Sequence, residues 1–312
     1  MPKDVFGKGY KFLASSALLE YAQIERLVRI FTHLGVSKIR LTGGEPLLRN
    51  DLEDLVDRIS SLEKIKDVAL TTNASLLTAD RASSLRQAGV KRVNISLDAM
   101  TPEIYYQINQ VPYPLETVLE GVDNALGAGF EAVKVNMVVQ KDINVGDILP
   151  MVEYFRHSGA ILRFIEFMDV GNHNRWNLER VFTSREIIEL IRSNYPLSPI
   201  GANYTGEVAK RWQFDDGAGE IGVISSISQP FCGDCARARL SAKGELFTCL
   251  FATQGKDLKG LLEEGWTDQQ LMEEIGGTWS ARDDQYSVLR GKSGEDGWRR
   301  TSQKVEMSYI GG

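Results

Sequence analysis

The chain has 312 residues, which is enough for one large domain or two smaller ones, and its 43% apolar and 25% charged residues are ordinary for a globular protein. Its net charge of −6 argues against non-specific binding of nucleic acid, which needs a positive surface. Residues 1–11 show no secretory pattern and no run of 18 apolar residues occurs, so the sequence predicts no signal peptide, no membrane span and a cytoplasmic location.

The first half of the chain repeats one pattern, in which a helix ends, a glycine follows and a β-rich run begins. The first predicted helix carries apolar residues at helical spacing from Tyr21 to Phe31. Gly35 follows it, at a position that favours a left-handed residue. The pattern predicts four strands, at residues 38–42, 92–96, 133–139 and 162–167, and a fifth unit, with helical spacing from Leu52 to Ile59, predicts a strand at 68–72.

Strands that alternate with helices predict a parallel sheet, either doubly wound or curved into an open barrel. In both folds, functional groups gather at the carboxyl ends of the strands. Small or polar residues stand at four of these ends, which favours a shared ligand rim, although each end alone is also typical of an ordinary turn. They are residues 43–46, 72–73, 96–98 and 168–169.

The alternation of strands and helices stops near residue 180. We therefore predict two domains, residues 1–180 and residues 181–312, with a strand pair within residues 217–225 of the second.

The chain has three cysteines, Cys232, Cys235 and Cys249, and an odd number in one short window is a poor disulfide framework. Thiolates suit zinc or an iron–sulfur cluster. A structural zinc ion needs four protein ligands, and the histidines at positions 33, 157 and 173 lie far from this window. The spacing leaves two interpretations open: a four-iron cluster with one open iron, or zinc with a distant fourth ligand.

Two arginines, Arg237 and Arg239, follow the cysteine pair. In an extended segment they point to the same side, where they form either a phosphate clamp or a solvated surface pair. Arg40 and Lys134 lie within predicted strands, where a cation needs a partner or a pocket. The four cations together predict a site for an anionic small molecule.

Several segments resemble motifs of radical S-adenosylmethionine (SAM) enzymes, namely residues 41–48 with Gly-Gly-Glu-Pro, 71–73, 94–98 and 163–168. The cysteine window through Ser241 and the terminal residues 307–312 narrow the resemblance to the GTP 3′,8-cyclase family, over essentially all of the chain. The family begins molybdopterin synthesis by SAM-dependent radical cyclisation of GTP to (8S)-3′,8-cyclo-7,8-dihydroguanosine 5′-triphosphate. The resemblance implies this activity, an electron donor and a partial (βα)₆ TIM-like barrel with a C-terminal iron–sulfur domain. It is compatible with a homodimer.

The resemblance also implies roles for particular residues, none of them a side-chain acid or base. A four-iron cluster on the three cysteines would hold the guanine. Gly311 and Gly312 would reach into the site as a tail, although the terminus alone is also typical of a frayed end. The SAM contacts would be Gly44, Ser96 and Met168, and the GTP contacts would be Arg40, Thr71, Lys134, Arg237, Ala238 and Arg239.

One family motif is not in this sequence. The family binds its first cluster, at which SAM is cleaved, with Cys-x-x-x-Cys-x-x-Cys, usually followed by Met-Pro, and this chain begins Met1-Pro2. We expect the motif, the first barrel strand and an upstream arginine to belong to a full-length form, which would hold this second four-iron cluster. We expect the chain as given to be unable to cleave SAM. The alternatives are a GTP-binding fragment without chemistry and a zinc-stabilised α/β protein.

Overall fold

The computed structural model describes residues 13–110, 113–204, 206–230, 232–233, 235–284, 286–287 and 304–311. Its centre is an eight-stranded sheet in the order β1-β2-β3-β4-β5-β8-β7-β6, and a second sheet has the order β11-β10-β9. The strands are β1 Lys38–Leu41, β2 Asp67–Thr72, β3 Arg92–Ser96, β4 Ala132–Val139, β5 Ile161–Glu166, β6 Leu197–Ile200, β7 Lys210–Phe214, β8 Glu220–Ile224, β9 Arg239–Leu240, β10 Glu245–Phe247 and β11 Lys256–Asp257.

Helices lie between the first five strands, and further helices follow β5 in the chain. None of the helices in the described ranges has the length and apolarity needed to span a bilayer. The α-helices are α1 Tyr21–His33, α2 Leu52–Ser60, α3 Ala79–Ala88, α4 Pro102–Asn109, α5 Leu115–Gly127, α6 Ile148–Phe155, α7 Ser184–Arg192, α8 Leu258–Glu263, α9 Asp268–Ser280 and α10 Met307–Ile310.

The order of the strands is that of a TIM-like barrel. Strands β1 to β5 pair in parallel with their neighbours in the chain, and β8 adds a sixth parallel strand beside β5. A doubly wound sheet would reverse its order at a switch point, and this sheet does not. The predicted α/β fold with a TIM-like core is confirmed.

The five predicted strands agree with β1 to β5 to within one residue at each end. The prediction of two strands within residues 217–225 is wrong, because only β8 lies there. Gly217 and Gly219 have φ of +76° and +115° and belong to the turn that joins β7 to β8. These strands extend the first-half sheet, so the sheet crosses residue 180, and the predicted domain division stays a prediction.

The apolar core lies between the strands and the helices, on one face of the eight-stranded sheet. In β3, for example, Val93 and Ile95 are fully buried in this core. Side chains alternate along a strand, so Arg92, Asn94 and Ser96 point to the opposite face, here called the inner face. A smaller apolar cluster, which includes Leu27 of α1 and others from α8 and α9, packs the C-terminal region against α1.

Candidate functional site

Two cations on the inner face have no protein partner in the part of the chain that the structure describes. Arg40 of β1 and Lys134 of β4 alternate with residues that face the helices, and neither forms a hydrogen bond or ion pair with a described residue. Lys134 is buried, with 9% of its surface exposed. Burial, together with the positive charges of Arg163 and Arg92, lowers the pKa of Lys134 to about 8.

Thr71 of β2 adds an unused hydroxyl to the same face. Its Oγ1 atom is buried and has no hydrogen-bond partner among the described residues. A buried hydroxyl without a partner costs about 1–3 kcal/mol, so it indicates a missing ligand or water. Three sequence-predicted contacts therefore combine cationic and polar groups on one face, and this arrangement fits a polar anion.

Arg163 of β5 belongs to this cationic face, although the sequence argument did not select it as a contact. Its Nε donates to Asn136 Oδ1 at 2.8 Å, and its Nη2 donates to Asn94 Oδ1 at 2.6 Å. Burial and the neighbouring charge of Arg40 lower its pKa to about 10. The signal that could have found it is strand alternation, because Leu162 and Phe164 on either side of it are buried in the core.

The three cysteines are half-buried and free, beside a group of arginines. The backbone amide of Cys235 donates to Cys232 O at 3.2 Å, and Arg237 Nη2 donates to Cys235 Sγ at 3.4 Å. Burial alone would raise the pKa of Cys235, but the charge and hydrogen bonds of Arg237 outweigh it and lower the pKa. Burial raises the pKa of Cys249, whose Sγ accepts from the Phe251 amide at 3.4 Å.

This donor set fits an iron–sulfur cluster. The sulfurs of Cys235 and Cys249 each accept an N–H bond, and such bonds help to set the potentials of clusters. Within the described residues, no three cysteine, histidine or acidic side chains are grouped to hold a single metal ion.

The residues after the cysteine pair connect it to the inner face and to the C-terminal tail. Arg237 and Ala238 are exposed, whereas Arg239 is half-buried at the start of β9. Burial, then the charges of Arg92 and Arg237, lowers the pKa of Arg40, so these cations share one region. Arg239 Nε donates to Gly311 O at 3.3 Å.

The described end of the tail lies against the loop that follows β1. Gly311 has φ of +75°, and a Cβ atom on it would lie 2.5 Å from Thr42 Cγ2. Upstream in this C-terminal segment, Lys304 Nζ bonds Asp169 Oδ2 at 2.9 Å, and Glu306 Oε1 accepts from the Asn172 amide at 3.0 Å. The segment is thus fixed to the loop after β5. Gly312 lies outside the described residues.

The three residues predicted to contact SAM lie at the carboxyl edge of the sheet. Gly44 follows β1, Ser96 ends β3 and Met168 lies two residues beyond β5. Gly44 is exposed, and a Cβ atom there would have open space around it. Glu45 fixes this loop, because it accepts from Thr72 Oγ1 at 2.6 Å and from the Asn73 amide at 2.8 Å. The arrangement leaves an open rim, and the roles of these three residues stay predictions.

Two family models match the chain. The model of the Radical SAM superfamily matches residues 11–155, and the model described as Molybdenum Cofactor Synthesis C matches residues 160–288. Among curated proteins, the GTP 3′,8-cyclase of Xanthomonas campestris pv. campestris (strain B100) is 49% identical over 312 residues, which are 100% of this chain and 89% of that protein. The GTP 3′,8-cyclase of Acidothermus cellulolyticus is 45% identical and is covered to 91%.

A solved structure supports the fold. SuiB of Streptococcus suis, in its crystal structure bound to S-adenosylmethionine, matches 90% of this chain and 64% of its own, with a TM-score of 0.57 and 14% sequence identity. At that identity, the likeness concerns the fold alone.

Proposed function

We propose that this chain, which belongs to the GTP 3′,8-cyclase family of radical SAM proteins, provides the GTP-binding part of a SAM-dependent cyclase. The reaction is the cyclisation of GTP to (8S)-3′,8-cyclo-7,8-dihydroguanosine 5′-triphosphate, the first step of molybdopterin synthesis. One observation carries the proposal for this chain: Arg40, Lys134 and Thr71 present polar groups on one face that have no partner among the described residues, next to the arginines of the cysteine window.

In this proposal the triphosphate lies along the cations of the inner face. Lys134 and Arg40 neutralise phosphate charge, and Arg237 and Arg239 bind it from the cysteine window, with Ala238 leaving room between them. Thr71 Oγ1 donates a hydrogen bond to the nucleotide. Lys134 is buried and Thr71 and Arg239 are half-buried, which reduces screening by water and strengthens their contacts.

The three cysteines would hold one four-iron cluster, and Gly44, Ser96 and Met168 would bind SAM at the sheet edge. When bound, the family's clusters supply an electron for cleavage of SAM and an open iron for the guanine. The residues of this chain hold and orient the two substrates, and Gly311 closes the site beside Arg239. The division at residue 180 stays a prediction, since β8 joins the barrel sheet from beyond it, and in this proposal an external reductant supplies the electron.

The test measures products under anaerobic, reducing conditions with SAM and GTP. A form of the protein that carries Cys-x-x-x-Cys-x-x-Cys before Met1 should yield 5′-deoxyadenosine and the cyclised nucleotide. The 312-residue chain, with its three cysteines, should bind GTP and yield neither product. Turnover by the short chain equal to that of the longer form would refute the assignment.

The cysteine count favours a second candidate function for the 312-residue chain itself, namely GTP binding without chemistry. Calorimetric titration of the reconstituted chain with GTP separates the two candidates, because binding without product in both forms would favour this second function. Stoichiometric zinc without acid-labile sulfide would instead favour the zinc-stabilised alternative.

A further inference from the structure

Glu166, the last residue of β5, is a carboxylate with no exposed surface. It forms no ion pair with a described basic residue, so hydrogen bonds must compensate for its burial. Serine and backbone donors from two other parts of the chain provide these bonds, and the residue therefore joins segments that the sequence keeps apart.

Both carboxylate oxygens of Glu166 accept two hydrogen bonds each. Oε1 accepts from the Ser184 amide at 2.7 Å and from Ser228 Oγ at 2.6 Å. Oε2 accepts from the amides of Ile227 and Ser228, both at 2.8 Å. The backbone carbonyl of Glu166 accepts a further bond from Ser226 Oγ at 3.1 Å.

These donors identify what Glu166 connects. Ser184 begins α7, where a backbone amide has no partner within the helix. Residues 226–228 leave the end of β8 and lead, four residues later, to Cys232. Met168, one of the predicted SAM contacts, lies two residues after Glu166, just beyond the end of β5. The carboxylate of Glu166 thus joins the end of β5, which leads to the predicted SAM contact, to the segment that leads into the cysteine window.

We infer that Glu166 is a positioning residue, which sets the height of the cysteine window above the cations of the inner face. The inference rests on the proposed function, since it concerns the relative placement of the cluster and GTP. Without the three side-chain bonds to Ile227 and Ser228, this segment would be attached to Glu166 only through the bond from Ser226 Oγ to the backbone carbonyl. The cysteines would still bind a cluster, but the cluster and Arg237 would no longer meet the nucleotide held by Lys134 and Arg40.

The test uses the reconstituted 312-residue chain and compares Glu166→Gln with the matched control Asp147→Asn. Asp147 is also buried, at 1% exposure, and accepts from the amides of Met100 and Thr101, on a loop that does not lead to the cysteines. Both variants lose carboxylate bonds to backbone amides, so both should lower the melting temperature. Only Glu166→Gln should weaken GTP binding, by about tenfold, and reduce the GTP-induced change in the EPR spectrum of the reduced cluster.

Two milder variants, both at Ser228, keep the test informative if Glu166→Gln fails to fold. Ser228→Ala removes one bond and should weaken GTP binding by about threefold, and Ser228→Thr, which keeps the hydroxyl, should restore it. If Glu166→Gln and Ser228→Ala both keep the GTP affinity and the EPR response of the unsubstituted chain, the inference is wrong. The proposed function would not be affected by that result. If the unsubstituted chain shows no EPR response to GTP, the proposed function fails and the inference fails with it.

Discussion

At the scale of single residues, the inner face carries two cations, Arg40 and Lys134, that have no anionic partner among the described residues. Lys134 shows this most clearly, because burial and two neighbouring arginines lower its pKa to about 8. An ammonium group that is destabilised in the empty protein gains most when an anion arrives. The same residue makes binding sensitive to pH in a range where the other cations of the face stay charged.

We therefore expect GTP affinity to fall as the pH rises through about 8. A lysine with a lowered pKa loses its proton in the ligand-free protein above that value. Binding of GTP then includes the free-energy cost of protonating the lysine again. The dissociation constant should rise by up to about tenfold per pH unit above this point. Titration calorimetry from pH 7 to pH 9.5 measures it. Lys134→Arg, which keeps its charge throughout, should give a flat profile, and parallel profiles for both proteins would contradict the assignment.

The arginines of the cysteine window give a second prediction at this scale. Arg237→Ala and Arg239→Ala should each weaken GTP binding by about 1.5–3 kcal/mol, the value of a charge-assisted hydrogen bond. Guanosine, which lacks phosphate, should lose much less affinity. Arg185→Ala serves as the control, since Arg185 is exposed on α7 and pairs with Glu189. Equal losses for GTP and guanosine would show that these arginines do not bind phosphate.

At the scale of elements, close contact between a helix and a turn supports the sheet edge. Gly121 lies in α5, and a Cβ atom there would come within 2.5 Å of Ala74 O, in the turn after β2. Gly121→Ala should destabilise the protein by about 1–3 kcal/mol, because this backbone atom cannot move aside easily. Gly127→Ala in the same helix meets no atom within 4 Å and should be neutral or stabilise by up to about 1 kcal/mol. Urea denaturation of both variants gives the comparison.

The elements also show what the sequence could predict. A preceding glycine marks four of the first five strands, all but β2, and β-rich apolar runs mark all five, and these are local signals. By contrast, β7 is largely half-exposed and carries no clear alternation, so the turn at Gly217 was taken for part of a strand. The contacts of Glu166 with Ser184 and Ser228, and of Arg163 with Asn94, depend on strand register and on loops far away in the chain. No local pattern encodes them.

At the scale of the whole molecule, the chain should hold one oxygen-sensitive four-iron cluster. Anaerobic reconstitution should give about four irons per chain with matching acid-labile sulfide, because a single set of three cysteines is present. Cys249→Ser should abolish the cluster. Iron and sulfide analysis measures both results, and an unchanged iron content in Cys249→Ser would show that the cluster is held elsewhere.

The apolar core and the charged inner face use opposite sides of the same strands. Val93 and Ile95 stabilise the fold, while Asn94 between them helps to hold Arg163 on the inner face, where we propose that GTP binds. A substitution on one side therefore leaves the packing on the other side largely unchanged. Evolution can therefore change the substrate of such a fold through inner-face substitutions that leave its folding stability largely unchanged. Proteins with this backbone can then differ in the residues of the inner face, and the likeness to SuiB at 14% identity concerns the backbone fold alone.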